Sequence, residues 1–260
     1  MAEEHKTGND VLSRFNAHVP SVARAYDYLL GGKDNFAVDR ELAAKILEVF
    51  PQTAVIVRES RSFLGRAVAF VAERGADQFL DVGAGLPTSP AVHEIAQAHN
   101  PDARVVYVDN DPMAVSHTSA LLAGDGVIAV DADMTDPAVV LEAASRLIDL
   151  DRPVCVILAL VLHFFSAEDA TRIVRGLTER LVPGSYMIVS VGIRDDAGQA
   201  EQFTQTYTAA SVQLPTREQV LGYFDGFELV EPGLTDARTW HTEYITDDRR
   251  GMVLAGVGRK

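Results

Sequence analysis

The chain has 260 residues, 47% of them hydrophobic, with 37 acidic and 23 basic side chains and a formal net charge of −14. That length suits one α/β domain with an appendage rather than two full domains. The acidic balance opposes a phosphate backbone and so excludes nucleic acid and anionic membranes as expected partners, while the single cysteine, Cys155, excludes an internal disulfide and fits the cytoplasm.

The first six residues, Met1 to Lys6, lack the apolar core of a signal peptide, and no stretch is apolar for long enough to span a bilayer. Residues 1–18 are polar and aperiodic, and they are expected to be flexible. Residues 19–75 read as a helical prelude. Ser21 caps a first helix that runs to Leu30 and stops at Gly31-Gly32, and Asp39 caps a second that stops at Pro51. Thr53 to Arg74 form a third, with Ala54, Val57, Leu64, Val68 and Val71 at helical spacing and Gly75 as its stop.

From residue 76 to the end, strands and helices alternate. Strands are expected at Gln78–Val82, Arg104–Asp109, Val127–Val130, Val154–Ala159 and Tyr186–Val191. Helices are expected between them at Pro90–His99, Pro112–Leu122, after Asp136-Pro137, and after Ser166 with Asp169 three residues on. A further helix is expected over 198–211 and a capping box at Thr216/Gln219. The strands Phe227–Val230 and Met252–Val257 suggest a closing hairpin with one antiparallel member. Such alternation implies a parallel sheet with helices on both faces and ligands at the carboxyl ends of its strands.

The most informative segment is Asp81-Val82-Gly83-Ala84-Gly85-Leu86-Pro87, where an apolar strand ends in an acid and a two-glycine turn. Glycines at 83 and 85, with Ala84 between them, let a ligand approach bare main chain. The next strand ends in Asp109, followed by Asn110, at the distance expected of a carboxylate that accepts both hydroxyls of a ribose. Pro87 stands where a dinucleotide fingerprint carries its third glycine, and it offers no amide to a pyrophosphate. Asp81 is likewise a poor neighbour for phosphate and a good one for a cationic ligand.

Residues Phe79 to Val191 together resemble the class I S-adenosylmethionine-dependent methyltransferases. Pro20 to Phe36, with Gly85-Leu-Pro-Thr88 and Val108-Asp-Asn-Asp-Pro112, resemble more closely an actinobacterial methyltransferase family once catalogued as a domain of unknown function. The resemblance implies a Rossmann-like α/β fold: a seven-stranded, mostly parallel sheet with helices on both faces and an N-terminal helical lid. It implies S-adenosyl-L-methionine as cofactor and methyl transfer to a small-molecule acceptor by in-line displacement. It places Asp81 near the methionine ammonium, Asp133 and Met134 at the adenine, and Tyr28 and Asn35 in a lid over methionine and acceptor. Arg24, Asp27, Gly31 and Gly32 belong to the same polar and glycine cluster.

The segment Leu160-Val-Leu-His163 resembles one that follows the fourth strand in many small-molecule methyltransferases, which makes His163 the candidate catalytic base. Tyr207, Trp240 and His241 read as packing residues. Acids and histidines do not cluster at ligand spacing, so no metal is expected. Two other readings stay open on the sequence: an NAD-dependent oxidoreductase, against which Pro87 counts, and a non-catalytic S-adenosylmethionine-binding protein. The acceptor and the oligomeric state are not written in these motifs.

Overall fold

The computed structural model describes residues 17–121, 124, 126–193, 205–242 and 252–260. The expected flexible segment 1–18 therefore falls almost wholly outside the described residues, as does most of the helix expected over 198–211. Within that span, residues 207–211 are not helical.

Three helices come first. Helix α1 spans Val22–Leu30; Ser21 caps the Arg24 amide, and Gly31 closes the helix at φ +86°, a conformation cheap only for glycine. Helix α2 spans Ala37–Val49. Asp39 lies inside its first turn rather than ahead of it, and its carboxylate accepts the Phe36 amide at 2.8 Å. Helix α3 spans Thr53–Ala72.

The alternating part follows as β1 Gln78–Val82, α4 Val92–His99, β2 Arg104–Asp109, α5 Pro112–Leu121, β3 Val127–Asp131, α6 Pro137–Ala144 and β4 Cys155–Ala159. A short 3-10 turn, Leu162–Phe164, precedes α7 Ala167–Thr178, β5 Tyr186–Gly192, α8 Arg217–Gly222, β6 Glu228–Leu229, β7 Thr235–Asp236 and β8 Val253–Arg259. The caps fall where the sequence puts them. Asp136 accepts the Val139 amide, Ser166 the Asp169 amide, and Thr216 the Gln219 amide.

The strands form one sheet in the order β3-β2-β1-β4-β5-β8-β6, with β7 also paired to β8. Strands β1 to β5 are mutually parallel, and β8 runs antiparallel to β5, β6 and β7. Expectation and outcome differ at this last edge. The strand expected at Phe227–Val230 is present as β6, and a further two-residue strand, β7, follows the turn Glu231-Pro232-Gly233 and pairs with β8, so eight strands are present among the described residues.

Helices cover both faces, so the central strands are buried throughout. On one face Phe79, Val105, Cys155, Ile157 and Ile188 pack against Phe63, Leu64 and Val68 of α3 and Ala96 of α4. On the other, Leu80, Val106, Val156 and Met187 pack against Val140 of α6, Ile173 of α7 and Val220 of α8. The segment read as a lid, 19–75, therefore divides. Helix α3 is a layer of the sheet core, and α1 and α2 form small separate clusters through Ala25, Leu42 and Ile46 and through Leu29, Ala43 and Val57. No described helix is long and apolar enough to cross a membrane.

Candidate active site

Register brings the chemistry together at the carboxyl edge. Val82 pairs with Val108, so the turn after β1 and the end of β2 lie side by side. Gly83 and Gly85 have φ of +74° and +67°, and the Gly83 and Ala84 amides donate to the Val108 carbonyl at 2.8 and 3.1 Å. A side chain at Gly83 would place its Cβ 2.5 Å from Val161 Cγ1 and 2.9 Å from Met134 Cε, so only glycine lets these two side chains pack against the turn, while the Cβ position at Gly85 is open.

Asp109 is held by its neighbours. Its Oδ2 accepts the Gly85 amide and its Oδ1 the Asp111 amide, both at 2.8 Å. Burial pushes this carboxyl above its ordinary range, and the amides of Asp111, Gly85 and Asn110 oppose that shift. Beside it, burial pushes Asp81 up to about 7, against the Arg61 guanidinium and with the Asp109 charge. Burial likewise pushes the Tyr26 phenol up to about 12.

These groups line one cavity of about 640 Å³, whose wall includes Asp81, Gly83, Ala84, Gly85, Asp109, Asn110, Met134 and His163. Three expected site residues are not on that wall. Asn35 is spent inside the lid, donating to the Asp27 carboxylate at 2.8 Å and to the Gly32 carbonyl at 3.2 Å. Tyr28, on the same helix as Arg24, is exposed. Asp133 is also exposed, accepting the Thr135 amide at 2.8 Å and hydrogen bonded to Asn110, so it acts on the cavity only through that neighbour.

His163 is buried on the cavity wall, and its Nδ1 has no hydrogen-bond partner. Burial lowers its pKa to about 4, so the imidazole is neutral at pH 7. Its ring stands 4.3 Å from that of Phe164, which stands 5.6 Å from that of Tyr207. Leu160, just before, holds φ +54°, an uncommon conformation for a bulky residue and one that recurs at functional edges. Tyr207 thus joins the cavity wall, contrary to its reading as packing, because residues 207–214 run back past His163, whose carbonyl accepts the Gln213 amide. Trp240 is buried against Phe63 and Phe70 behind the sheet, away from the cavity wall.

Sequence reasoning missed how the lid is tied down. Asp39, fully buried, accepts from Arg24 Nε at 2.8 Å, the Ser21 amide at 2.9 Å and the Phe36 amide. Arg24 also donates to the Val19 carbonyl at 2.6 Å and lies 3.6 Å from Asp111, which accepts the Ser21 hydroxyl. One arginine is thereby held between an acid of the lid and an acid of the β2 end. The signal available was Asp39 in the first turn of the helix after Arg24's, an acid in an otherwise ordinary helix start.

A family model described as S-adenosyl methyltransferase matches residues 9–260. The chain belongs to this family. A DUF574 family protein from Streptomyces avermitilis is 39% identical, with 94% of this chain and 98% of that one covered and a TM-score of 0.89. A candidate methyltransferase from Thermobifida fusca is 38% identical, with 95% and 97% covered and a TM-score of 0.90. Magnesium protoporphyrin IX methyltransferase from Synechocystis, solved with bound S-adenosylhomocysteine, is 14% identical, with 91% and 93% covered and a TM-score of 0.55, and shares the fold. No curated protein is significantly similar.

The residues fit S-adenosylmethionine, the cofactor of an S-adenosyl methyltransferase. The Asp109 carboxylate, already oriented by backbone amides, suits a ribose diol, and Asp81 suits a cationic tail. The open Cβ position at Gly85 leaves bare backbone on the wall. A dinucleotide fits poorly, since Asp81, Asp109 and Asp111 all face the same cavity and Pro87 has no amide to offer. Among the described residues, no group of three His, Cys, Asp or Glu side chains could hold a metal ion.

Proposed function

We propose that this methyltransferase acts on a small-molecule acceptor, with Asp109 holding the cofactor ribose, Asp81 the methionine ammonium and His163 the acceptor. When bound, S-adenosylmethionine supplies a methyl group on positively charged sulfur, open to in-line displacement by an acceptor nucleophile. Gly83, Ala84 and Gly85 present the backbone against the nucleoside, and Met134 flanks it. The Asp133 carboxylate steadies Asn110 rather than the ligand.

The protein's part is then positioning and the exclusion of water. Alignment of two reactants can lower a barrier by as much as ~7–11 kcal/mol. Helix α1, tied through Arg24 to Asp39 of α2 and to Asp111, covers the cavity. A neutral imidazole at His163 can accept the hydrogen bond of an acceptor hydroxyl and take its proton as the acceptor is methylated, a contribution on the order of 10²–10⁴ in rate. The expected cytoplasmic setting and the acidic surface agree with a diffusible acceptor rather than a nucleic acid.

One observation carries this reading: an oriented carboxylate, an open glycine turn and an uncommitted neutral histidine share one cavity. Calorimetry with S-adenosylmethionine, S-adenosylhomocysteine and NAD tests it, followed by turnover against a metabolite panel. Binding of the first two and not of NAD, with methylation of a panel member, supports it. Binding of NAD in their place would contradict it, and tight cofactor binding with no turnover would reduce the protein to a cofactor-binding role.

A further inference from the structure

We infer that the acceptor is an uncharged, planar aromatic molecule bearing a hydroxyl group, bound in the half of the cavity that lies over β4, β5 and β8. The inference rests on the methyltransferase reading above and adds to it the class of substrate. Sheet order sets the two halves side by side. Asp81 and Asp109 stand at the ends of β1 and β2, His163 follows β4, and Gly192 at the end of β5 pairs with Val253 of β8. Neighbouring strands are ~4.8 Å apart, so β5 stands about 10 Å from β1. The acceptor half therefore begins where the cofactor half ends.

Among the described residues the charges fall on one side only. The ionised side chains on the cavity wall are Arg24, Arg61, Asp81, Asp109 and Asp111, all from the lid, α3 and the ends of β1 and β2. Both arginines are engaged: Arg24 with Asp39 and the Val19 carbonyl, Arg61 with the Thr88 and Pro90 carbonyls at 3.1 and 2.7 Å. Among the described residues, a carboxylate or phosphate on the acceptor would find three acids nearby and no cation that is not already bonded to protein oxygens. An ammonium would find no carboxylate among the described residues of its own half. Either would be desolvated without compensation.

What that half offers instead is a bent aromatic and aliphatic wall. The Phe164 ring is tilted 48° to His163 and 42° to Tyr207, and Ile193 and Leu214 stand among the other wall residues. Offset and tilted ring contacts of this kind suit a flat aromatic guest. Its polar handle is the imidazole of His163, able to accept one hydrogen bond from a hydroxyl. Gly192 lets Leu214 and His163 come close to the end of β5: a Cβ there would stand 3.3 Å from Leu214 Cδ2 and 3.9 Å from His163 Nδ1. Gly192 lies in a strand without positive φ, so close packing, and not strain, explains a glycine there, and a larger side chain would push Leu214 into the space beside His163.

The test uses the full chain saturated with S-adenosylhomocysteine, titrated by ligand-observed NMR. The probes are small fused and single-ring hydroxyarenes together with the carboxylate, phosphate and ammonium analogue of each. Hydroxyarenes are expected to bind at least about tenfold more tightly than their charged analogues. Gly192→Val, or Leu214→Phe from the opposite wall should the first fail to fold, is expected to weaken them by about tenfold or more while S-adenosylhomocysteine affinity is kept. Equal or tighter binding of the charged analogues, absence of any hydroxyarene binder, or hydroxyarene binding that survives both variants would overturn the inference. Failure of the wild-type chain to bind S-adenosylhomocysteine would overturn the underlying methyltransferase reading, a different result seen before any acceptor probe is added.

Discussion

The two halves of the cavity are built in different ways. Over β1 and β2 the wall is main chain and the carboxylates of Asp81, Asp109 and Asp111, drawn from two short segments, Asp81–Gly85 and Asp109–Asp111, joined by hydrogen bonds to the backbone. Over β4, β5 and β8 the wall is made of side chains gathered from the turn after β4, the end of β5, residues 207–214 and the start of β8. The first half is fixed by glycine conformation and strand register, both local properties. The second is fixed by packing between distant segments, and it can change its guest by changing a few side chains without disturbing the sheet. A single cofactor with many acceptors is what that division permits.

Four perturbations break or sharpen this contrast. The largest effect is expected from His163→Ala, which acts in the acceptor half alone: kcat with an acceptor found by panel screening falls on the order of 10²–10⁴, and S-adenosylhomocysteine affinity by calorimetry is unchanged. A loss of cofactor affinity would show that the halves are not separable. Asp109→Ala acts in the cofactor half alone. Removing two charge-assisted hydrogen bonds should cost ~3 kcal/mol, about a hundredfold in S-adenosylhomocysteine affinity. Unchanged affinity in a folded variant would refute the ribose role.

Gly83→Ala strikes the seam, because the new Cβ would meet Val161 on one side and Met134 on the other at a φ of +74°. It should lower stability by ~1–3 kcal/mol in thermal unfolding and weaken cofactor binding as well. The smallest effect is a pH dependence. A carboxyl raised to about 7 is partly protonated in the ligand-free protein below that pH, and a cationic tail prefers the ionised form. Affinity for S-adenosylmethionine should therefore fall as pH drops through 7, by up to about tenfold per unit, and Asp81→Asn should remove the slope. In the ligand-free fold the sign is opposite: the raised pKa of Asp81 stabilises at low pH, and that contribution is lost as pH rises through about 7. His163 acts the other way, since its lowered pKa stabilises above its ordinary 6.5 and that contribution is lost as pH falls through about 4.

The contrast also explains what could be read before any coordinates. Gly83, Gly85 and Asp109 were legible because turn geometry and strand ends are local, and their spacing along the chain survives folding. The parallel order of β1 to β5 followed from alternation alone. Tyr207 was not legible: it reaches the cavity through a non-helical run in a stretch whose composition suggests a helix. Asn35 and Tyr28 share a polar cluster with residues that do face the site, and only the packing shows that Asp27 takes the Asn35 amide for itself. Asp39 looked like a helix cap and does accept the Phe36 amide, but its buried pairing with Arg24 depends on how two helices cross. Helix α3 looked like part of a lid because it precedes the first strand, while its apolar stripe is matched to the sheet face.

The most direct measurement is an electron-density map from crystals soaked with S-adenosylhomocysteine. The ribose hydroxyls are expected within hydrogen-bond distance of both Asp109 oxygens, with the sulfur directed toward the turn that carries His163. Density for the nucleoside elsewhere on the chain, or a ribose turned away from Asp109, would contradict the assignment of this cavity.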